Sequence, residues 1–224
     1  MISFSEYFQV LKGIIKNKSL CRILQNIESK QIKIYGNTIE FGSEPNSKNN
    51  FSSLAMKSNN LKLSFSDKHI KKKGVINIDL NKKNFLKKKY YDNVLIFNVL
   101  EHLTNIDIAK KEIKKILVKK GNLIGSTPFL YRFHGAPSDY LRFTKPFMNF
   151  FFKKDFKILE IKNLGYGPFS LCYSLISDFT KKIPYLNVLI FSIAIFIDLT
   201  LSKFVKYELK DIYPIAIYFK VKKK

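Results

Sequence analysis

Eighteen consecutive positions, Thr127 to Thr144, carry one histidine, one carboxylate, two tyrosines and two arginines. They are His134, Asp139, Tyr131, Tyr140, Arg132 and Arg142. An imidazole titrates near neutral pH, so His134 is the candidate general base, able to take a proton from an acceptor oxygen. Asp139 would orient it. Arg132 or Arg142 would suit an anionic acceptor, because a guanidinium pairs with phosphate through two parallel hydrogen bonds. The same residues also suit a plainer task, in which His134 bonds Asp139 and Arg142 pins the loop to the next helix. His102, beside Glu101, reads mainly as a loop-fixing residue.

Three further acids stand where a ligand could meet them. Glu40 stands near a strand end in the run Ile39-Glu40-Phe41-Gly42-Ser43-Glu44-Pro45, in which Gly42 would let a ligand approach bare backbone. Asp67 and Asp79 each end an apolar run. An acid after the second strand of a parallel sheet typically accepts hydrogen bonds from ribose hydroxyls. Either aspartate could instead cap a turn, which its short side chain favours.

These residues need a frame that brings strand ends together. The stretch 92–98, DNVLIFN, is a near-continuous apolar run, as expected of a strand buried on both faces. Shorter strand signals cover 37–42, 61–66, 74–78, 121–126, 156–162 and 212–221. Helical spacing marks 3–29 with a break near 17–19, then 107–118, 146–152, 170–182 and 185–204. In the first of these, Phe4, Phe8, Leu11 and Ile15 line up as one apolar face. Strands alternating with helices predict an α/β chain whose ligands bind beyond the carboxyl ends of the strands.

Composition narrows the function classes. The 224 residues hold 40 Lys plus Arg against 17 Asp plus Glu, a net charge of +23. Only Arg22, Arg132 and Arg142 are arginines, however, and base edges are read best by the guanidinium fork. With abundant Lys, Asn, Ile and Phe and five alanines, the excess follows codon bias more simply than nucleic-acid binding. Cys21 and Cys172 show no metal spacing, and no metal site is expected. The residues from Met1 to Val10 do not resemble a signal peptide, so a cytoplasmic location is expected. Ile183 to Ile197 is fifteen residues without a charge, closed by Asp198. It is short for a span, which needs about 20 apolar residues, and suits a buried or interface-lying helix better.

The stretch Tyr91–Leu103, with its Val99-Leu100-Glu101-His102, resembles the motif after the fourth strand of class I S-adenosylmethionine-dependent methyltransferases of type 11. Glu112–Ile124 resembles that family's approach to its fifth strand. Thr127-Pro128-Phe129, His134, Pro137, Asp139-Tyr140 and Arg142-Phe143-Thr144 resemble a stretch found in a subset associated with surface-polysaccharide biosynthesis. The resemblance covers roughly residues 37 to 222 and is strongest between 91 and 144.

It implies a Rossmann-like, seven-stranded, mainly parallel sheet with an antiparallel last strand, N-terminal helices and a helical insertion before the last strand. One domain would span 1–224, with helices at 1–36, the cofactor-binding core at 37–165, the insertion at 166–211 and the last strand at 212–224. It implies S-adenosylmethionine as cofactor, held by Glu40, Gly42, Ser43, Asp67, Asp79 and Asn98. His134 and Asp139 would be catalytic, with Tyr131, Arg132, Tyr140 and Arg142 on the acceptor. The implied activity is O-methylation of a sugar or of a glycan or lipid-linked intermediate, with no nucleic-acid partner and peripheral contact with the inner membrane. The alternative is a non-catalytic scaffold of the same fold at that membrane. Departures from the family pattern bear on this choice. Glu44 stands near the second glycine of the usual G-x-G, the segment 68–73 is too short for the usual helix, and Lys119-Lys120-Gly121 replaces K-P-G-G.

Overall fold

A computed structural model describes residues 2–135 and 138–224. Pro137, one of the motif residues, lies outside the described residues. In chain order the elements are helices α1 (Phe4–Ile15) and α2 (Leu20–Lys30), strands β1 (Lys33–Ile34), β2 (Asn37–Phe41), β3 (Met56–Lys57), β4 (Lys62–Asp67), β5 (Val75–Asn77) and β6 (Tyr91–Phe97), and a 3-10 turn at Leu100–His102. Then come α3 (Ile106–Ile116), β7 (Leu117–Pro128), α4 (Lys145–Lys153), β8 (Phe156–Leu164), α5 (Pro168–Ile176), α6 (Pro184–Leu201), α7 (Leu209–Ile212) and β9 (Ala216–Lys223).

Seven strands form one sheet in the order β5-β4-β2-β6-β7-β9-β8, while β1 and β3 pair separately. The pairs β5/β4, β4/β2, β2/β6 and β6/β7 are parallel, and the last strands run antiparallel. Numbered along the chain, the seven strands lie 3-2-1-4-5-7-6, which is an α/β Rossmann-like arrangement. The order reverses between β2 and β6, and such a reversal opens a crevice beyond the strand ends.

The central strands owe their place to unbroken apolar runs. Val94, Leu95 and Ile96 of β6, Ile124 of β7 and Ile217, Phe219 and Val221 of β9 are fully buried. Gly125 lets two strands close up, since a Cβ there would meet Ile96 O at 1.9 Å and the Phe219 ring at 2.7 Å. β7 begins at Leu117 rather than at Gly121, but regular register with β6 resumes only at Asn122. Lys120, at φ 62°, lies in the irregular stretch between. No helix forms between β4 and β5, where Asp67 Oδ1 accepts from the amides of His69 and Ile70 at 2.6 and 3.0 Å.

The chain divides into two compact units. One comprises Ser29–Thr127, His134–Lys162 and Tyr218–Lys224, and the other Met1–Glu28, Pro128–Phe133 and Asn163–Ile217. The second is mainly helical. Its centre is Phe191 of α6, fully buried against the rings of Tyr7, Tyr166 and Tyr173. Asp198 of α6 accepts from the amides of Phe169 and Ser170 at 2.9 and 2.8 Å, supplying the first turn of α5 with acceptors that Gly167 lacks. That turn starts at Pro168, and the helix stops at Ile176, short of the expected 182. Burial raises the Tyr166 hydroxyl, which donates to Glu6 at 2.7 Å. In α1 the expected apolar face is turned around: Val10 and Ile14 are buried, whereas Phe4, Phe8 and Ile15 are exposed. Both stripes satisfy helical periodicity, and packing selects between them.

Candidate active site

The turns after β2, β4, β5 and β6 meet around a cavity of about 680 Å³. This is the size range of small-molecule sites, and it lies where the strand order predicts one. Gly42, Ser66, Asp67, Asp79, Asn98 and Val99 border it, and so do His102, His134 and Tyr140.

Gly42 sits at φ +72°, a conformation open to glycine and strained for other residues, and a Cβ on it would come within 2.6 Å of Val99 Cγ2. The amides of Gly42 and Ser43 both donate to Ser66 O, at 2.7 and 3.3 Å, so the turn is drawn across the end of β4. The buried Ser66 hydroxyl has no hydrogen-bond partner among the described residues. A bare-backbone cradle and an orphan hydroxyl are the two features here that fit a polar cofactor. Asp79 accepts from the Asn81 amide at 2.9 Å and pairs with Lys68 at 3.2 Å. Burial alone would raise its pKa, but the Asn81 amide and the Lys68 ammonium outweigh burial and hold it below the ordinary value.

The other constituents of the cavity are tied together by side chains. The Asp139 side chain, 1% exposed, takes both guanidinium nitrogens of Arg142, with Nη2 at 2.5 Å from Oδ2. The same carboxylate accepts the His134 amide at 3.1 Å and lies 3.1 Å from His134 Nδ1. The Arg142 guanidinium brings Asp139 down to a pKa of about 2. Beyond His134 lies Glu101, whose side chain is 0% exposed. Its Oε1 stands 3.7 Å from His134 Nε2 and 3.9 Å from His102 Nε2. Neither carboxylate oxygen has a hydrogen-bond partner among the described residues. This carboxylate raises the His134 imidazole above its ordinary value against the opposing effect of burial. His102 Nδ1 bonds Ser138 O at 2.6 Å, and the amides of Tyr140 and Leu141 donate to Glu101 O.

The structure therefore gathers Gly42, Asp67, Asp79, Asn98, His134 and Tyr140 at one cavity, with Asp139 and Arg142 directly behind His134. It directs others elsewhere. The Glu40 carboxylate is buried and accepts the amides of Phe51 and Ser52 at 2.8 and 3.1 Å, while the Ser43 hydroxyl donates to Glu40 O. Both residues thus shape the turn and do not border the cavity. Glu44 pairs with Lys72 at 2.6 Å. Tyr131 and Arg132 belong to the helical unit, where Arg132 pairs with Asp178 at 2.5 Å. The cations bordering the cavity are Lys68 and Lys82.

Sequence reasoning gave Glu101 and His102 a loop-fixing task and passed over Asn81. The Asn81 side chain accepts from the amides of Thr104 and Asn105 at 2.9 and 3.0 Å, tying the turn after β5 to the start of α3. An asparagine two residues after Asp79 was the available signal, since such side chains serve turns and helix starts.

No family model matches the sequence, and no curated protein matches it. Solved structures do share its fold. Coclaurine N-methyltransferase bound to N-methylheliamine and SAH is similar at a TM-score of 0.52 and 13% identity, over 88% of this chain and 70% of that one. The [4+2]-cyclase SpnF gives 0.53 and 10%, over 88% and 79%. Phosphoethanolamine N-methyltransferase 2 of Haemonchus contortus, in complex with phosphomonomethylethanolamine and S-adenosylhomocysteine, gives 0.53 and 12%, and this chain spans 58% of its length. At such identities the likeness is one of fold, the class I methyltransferase fold.

Proposed function

We propose that the chain is an S-adenosylmethionine-dependent methyltransferase acting on an oxygen of a sugar or of a glycan or lipid-linked intermediate. The observation that carries this reading is the cavity at the carboxyl ends of β2, β4, β5 and β6, with bare Gly42 backbone beside Asp67, Asp79 and Asn98. The sulfonium cofactor supplies an already activated methyl group. What remains for the chain is alignment and removal of a proton. Asp67 and Asp79 suit ribose hydroxyls and an exocyclic amine, and the Gly42 turn suits the methionyl part. His134, backed by Asp139, serves as base at the acceptor end with Tyr140 beside it. An anionic acceptor is assigned to Lys82 rather than to Lys68 or the arginines, which are paired with aspartates.

The helical unit supports a membrane-surface acceptor. Tyr185, Leu189, Ile193 and Phe196 form a stripe on α6, each more than half exposed, flanked along the chain by Lys181, Lys182, Lys203 and Lys206. By length and composition α6 could cross a membrane. A crossing would part β9 from β7 and β8, its neighbours in the sheet, so α6 is assigned to the interface of a cytoplasmic protein. In the second reading the same face anchors a scaffold without catalysis, which the Asp139–Arg142 pair favours because it already pins its own loop.

Calorimetry with S-adenosylhomocysteine is the deciding experiment. Binding of one equivalent, together with transfer of labelled methyl to a membrane-glycan extract, is expected. A folded chain that does not bind it at millimolar concentration defeats the enzyme reading and leaves the scaffold. Ile193→Glu is expected to abolish sedimentation with vesicles of anionic lipid at unchanged melting temperature.

A further inference from the structure

We propose that Glu101, His102 and His134 hold one divalent first-row transition-metal ion at the edge of the cavity. The three offer one ligand atom each, all within 4.8 Å of one another.

The starting point is a carboxylate out of place. Glu101 is fully buried, and neither oxygen has a hydrogen-bond partner among the described residues. A carboxylate taken from water without donors is costly, and proteins keep one where a cation meets it. The nearest groups are two imidazole nitrogens at 3.7 and 3.9 Å from Oε1. These separations are too long for hydrogen bonds. They suit two donors sharing one ion at bond lengths of about 2.0–2.2 Å, which puts ligand atoms about 3–4 Å apart.

Both rings are also set for ligation. Ser138 O can only accept, so the 2.6 Å contact puts the His102 proton on Nδ1 and leaves a lone pair on Nε2. Asp139 Oδ2 lies 3.1 Å from His134 Nδ1 without the alignment of a hydrogen bond, and its negative charge favours a proton on that nitrogen. A carboxylate or carbonyl on the far nitrogen is the usual support of a metal-bound histidine. Two imidazoles and a carboxylate select zinc or ferrous iron over magnesium or calcium, which prefer all-oxygen sites. His102 and His134 border the cavity, so remaining coordination positions are within reach of an acceptor oxygen. The sequence hid this set because His102 and His134 are 32 residues apart.

Metal binding requires only these residues and stands apart from the cofactor assignment. Where both hold, His134 Nε2 is a ligand and not the base. The ion then lowers the pKa of the acceptor hydroxyl, whose proton leaves to solvent.

The test uses the full chain, stripped with chelator and titrated with zinc chloride alone. One equivalent is expected to bind at micromolar or lower concentration and to raise the melting temperature, and cobalt(II) is expected to give visible d–d absorption that zinc displaces. Asp139→Asn, which leaves all three ligands in place, should weaken zinc about 10–100-fold. Glu101→Gln should weaken it further, and where that variant does not fold, His102→Gln takes its place. A parent chain that shows neither a zinc-dependent melting shift nor a cobalt band overturns the proposal. So does zinc affinity unchanged in folded Glu101→Gln or His102→Gln. Calorimetry with S-adenosylhomocysteine on the stripped chain keeps the two questions separate: binding of it without binding of zinc removes the metal alone, and zinc without it removes the cofactor reading alone.

Discussion

Asp67 and Asp79 direct their carboxylates to amides two or three residues ahead, within their own turns, whereas the Glu101 carboxylate accepts no hydrogen bond among the described residues and faces imidazoles from two separate segments. Apart from the Lys68 ammonium beside Asp79, the first arrangement is local, and its amide bonds form as the turn forms. The second is assembled from 101–102, 134 and 138–142, and it leaves a buried carboxylate without donors, with two imidazole nitrogens 3.7 and 3.9 Å away. Residues that stabilise their own turn and residues held against a cost border the same cavity. The second kind is where function is expected to oppose stability.

Substitutions can sharpen or break that contrast. The largest effect is expected for His134→Gln, with turnover down about a hundredfold or more once the acceptor is in hand. Its affinity for S-adenosylhomocysteine should stay within about twofold of the parent's, since a removed acceptor-side group contributes little to uniform binding. Unchanged turnover removes His134 from the mechanism, whether as base or as ligand. Next comes Gly42→Ala, which forces a left-handed conformation and a 2.6 Å contact with Val99, at a cost of about 1–3 kcal/mol in unfolding free energy. Adding Val99→Ala should restore part of that stability. If it also restores full cofactor affinity, the glycine serves packing and not the ligand.

The next two predictions have opposite signs. In chelator, Glu101→Gln is expected to raise stability by about 1 kcal/mol, because a buried, undonated charge is replaced by a neutral group. That corresponds to a melting temperature higher by about 2–4 °C. Asp79→Asn is expected to lower stability slightly, by about 0.5 kcal/mol or less for so exposed an ion pair. Its pH dependence follows from the depressed carboxyl. A folded-state value below the unfolded one adds stability that is fully present above the unfolded value, about 3.9, and is lost as pH falls through the folded value. Parent and variant should therefore converge in urea denaturation below about pH 4. A difference that persists there would assign the effect to the side chain's shape rather than its charge.

The sequence revealed the contrast unevenly. Strand β6 was legible because a strand buried on both faces must be apolar throughout. Gly42, Asp67, Asp79 and Asn98 came to the cavity because strand ends are where turn chemistry and parallel topology coincide. Glu40 was legible as an acid at a strand end, but the amides that occupy it come from Phe51 and Ser52, in a loop without any pattern. The reading of Tyr131 and Arg132 as acceptor residues rested on their nearness in sequence to His134. The chain crosses from one unit to the other between Phe133 and His134, a boundary that no composition change marks. Glu101 was the hardest case, since burial of a charged side chain is decided by the loop that folds over it and leaves no periodic trace.

The position of β9 bears on how the molecule reaches this state. β9 lies between β7 and β8, although the whole run of α5, α6 and α7 separates it from β8 in the chain, and that run together with α4 and β8 separates it from β7. Closing such distant segments is entropically slow, and contacts of this kind delay folding. Until β9 inserts, β7 and β8 present unpaired edges to one another across an empty slot, and bare edges invite strands of other molecules. The most dangerous moment for the chain is therefore late in folding. A peptide of β9 sequence supplied in excess at that stage should compete for the slot, as detected by its co-elution with refolding chains.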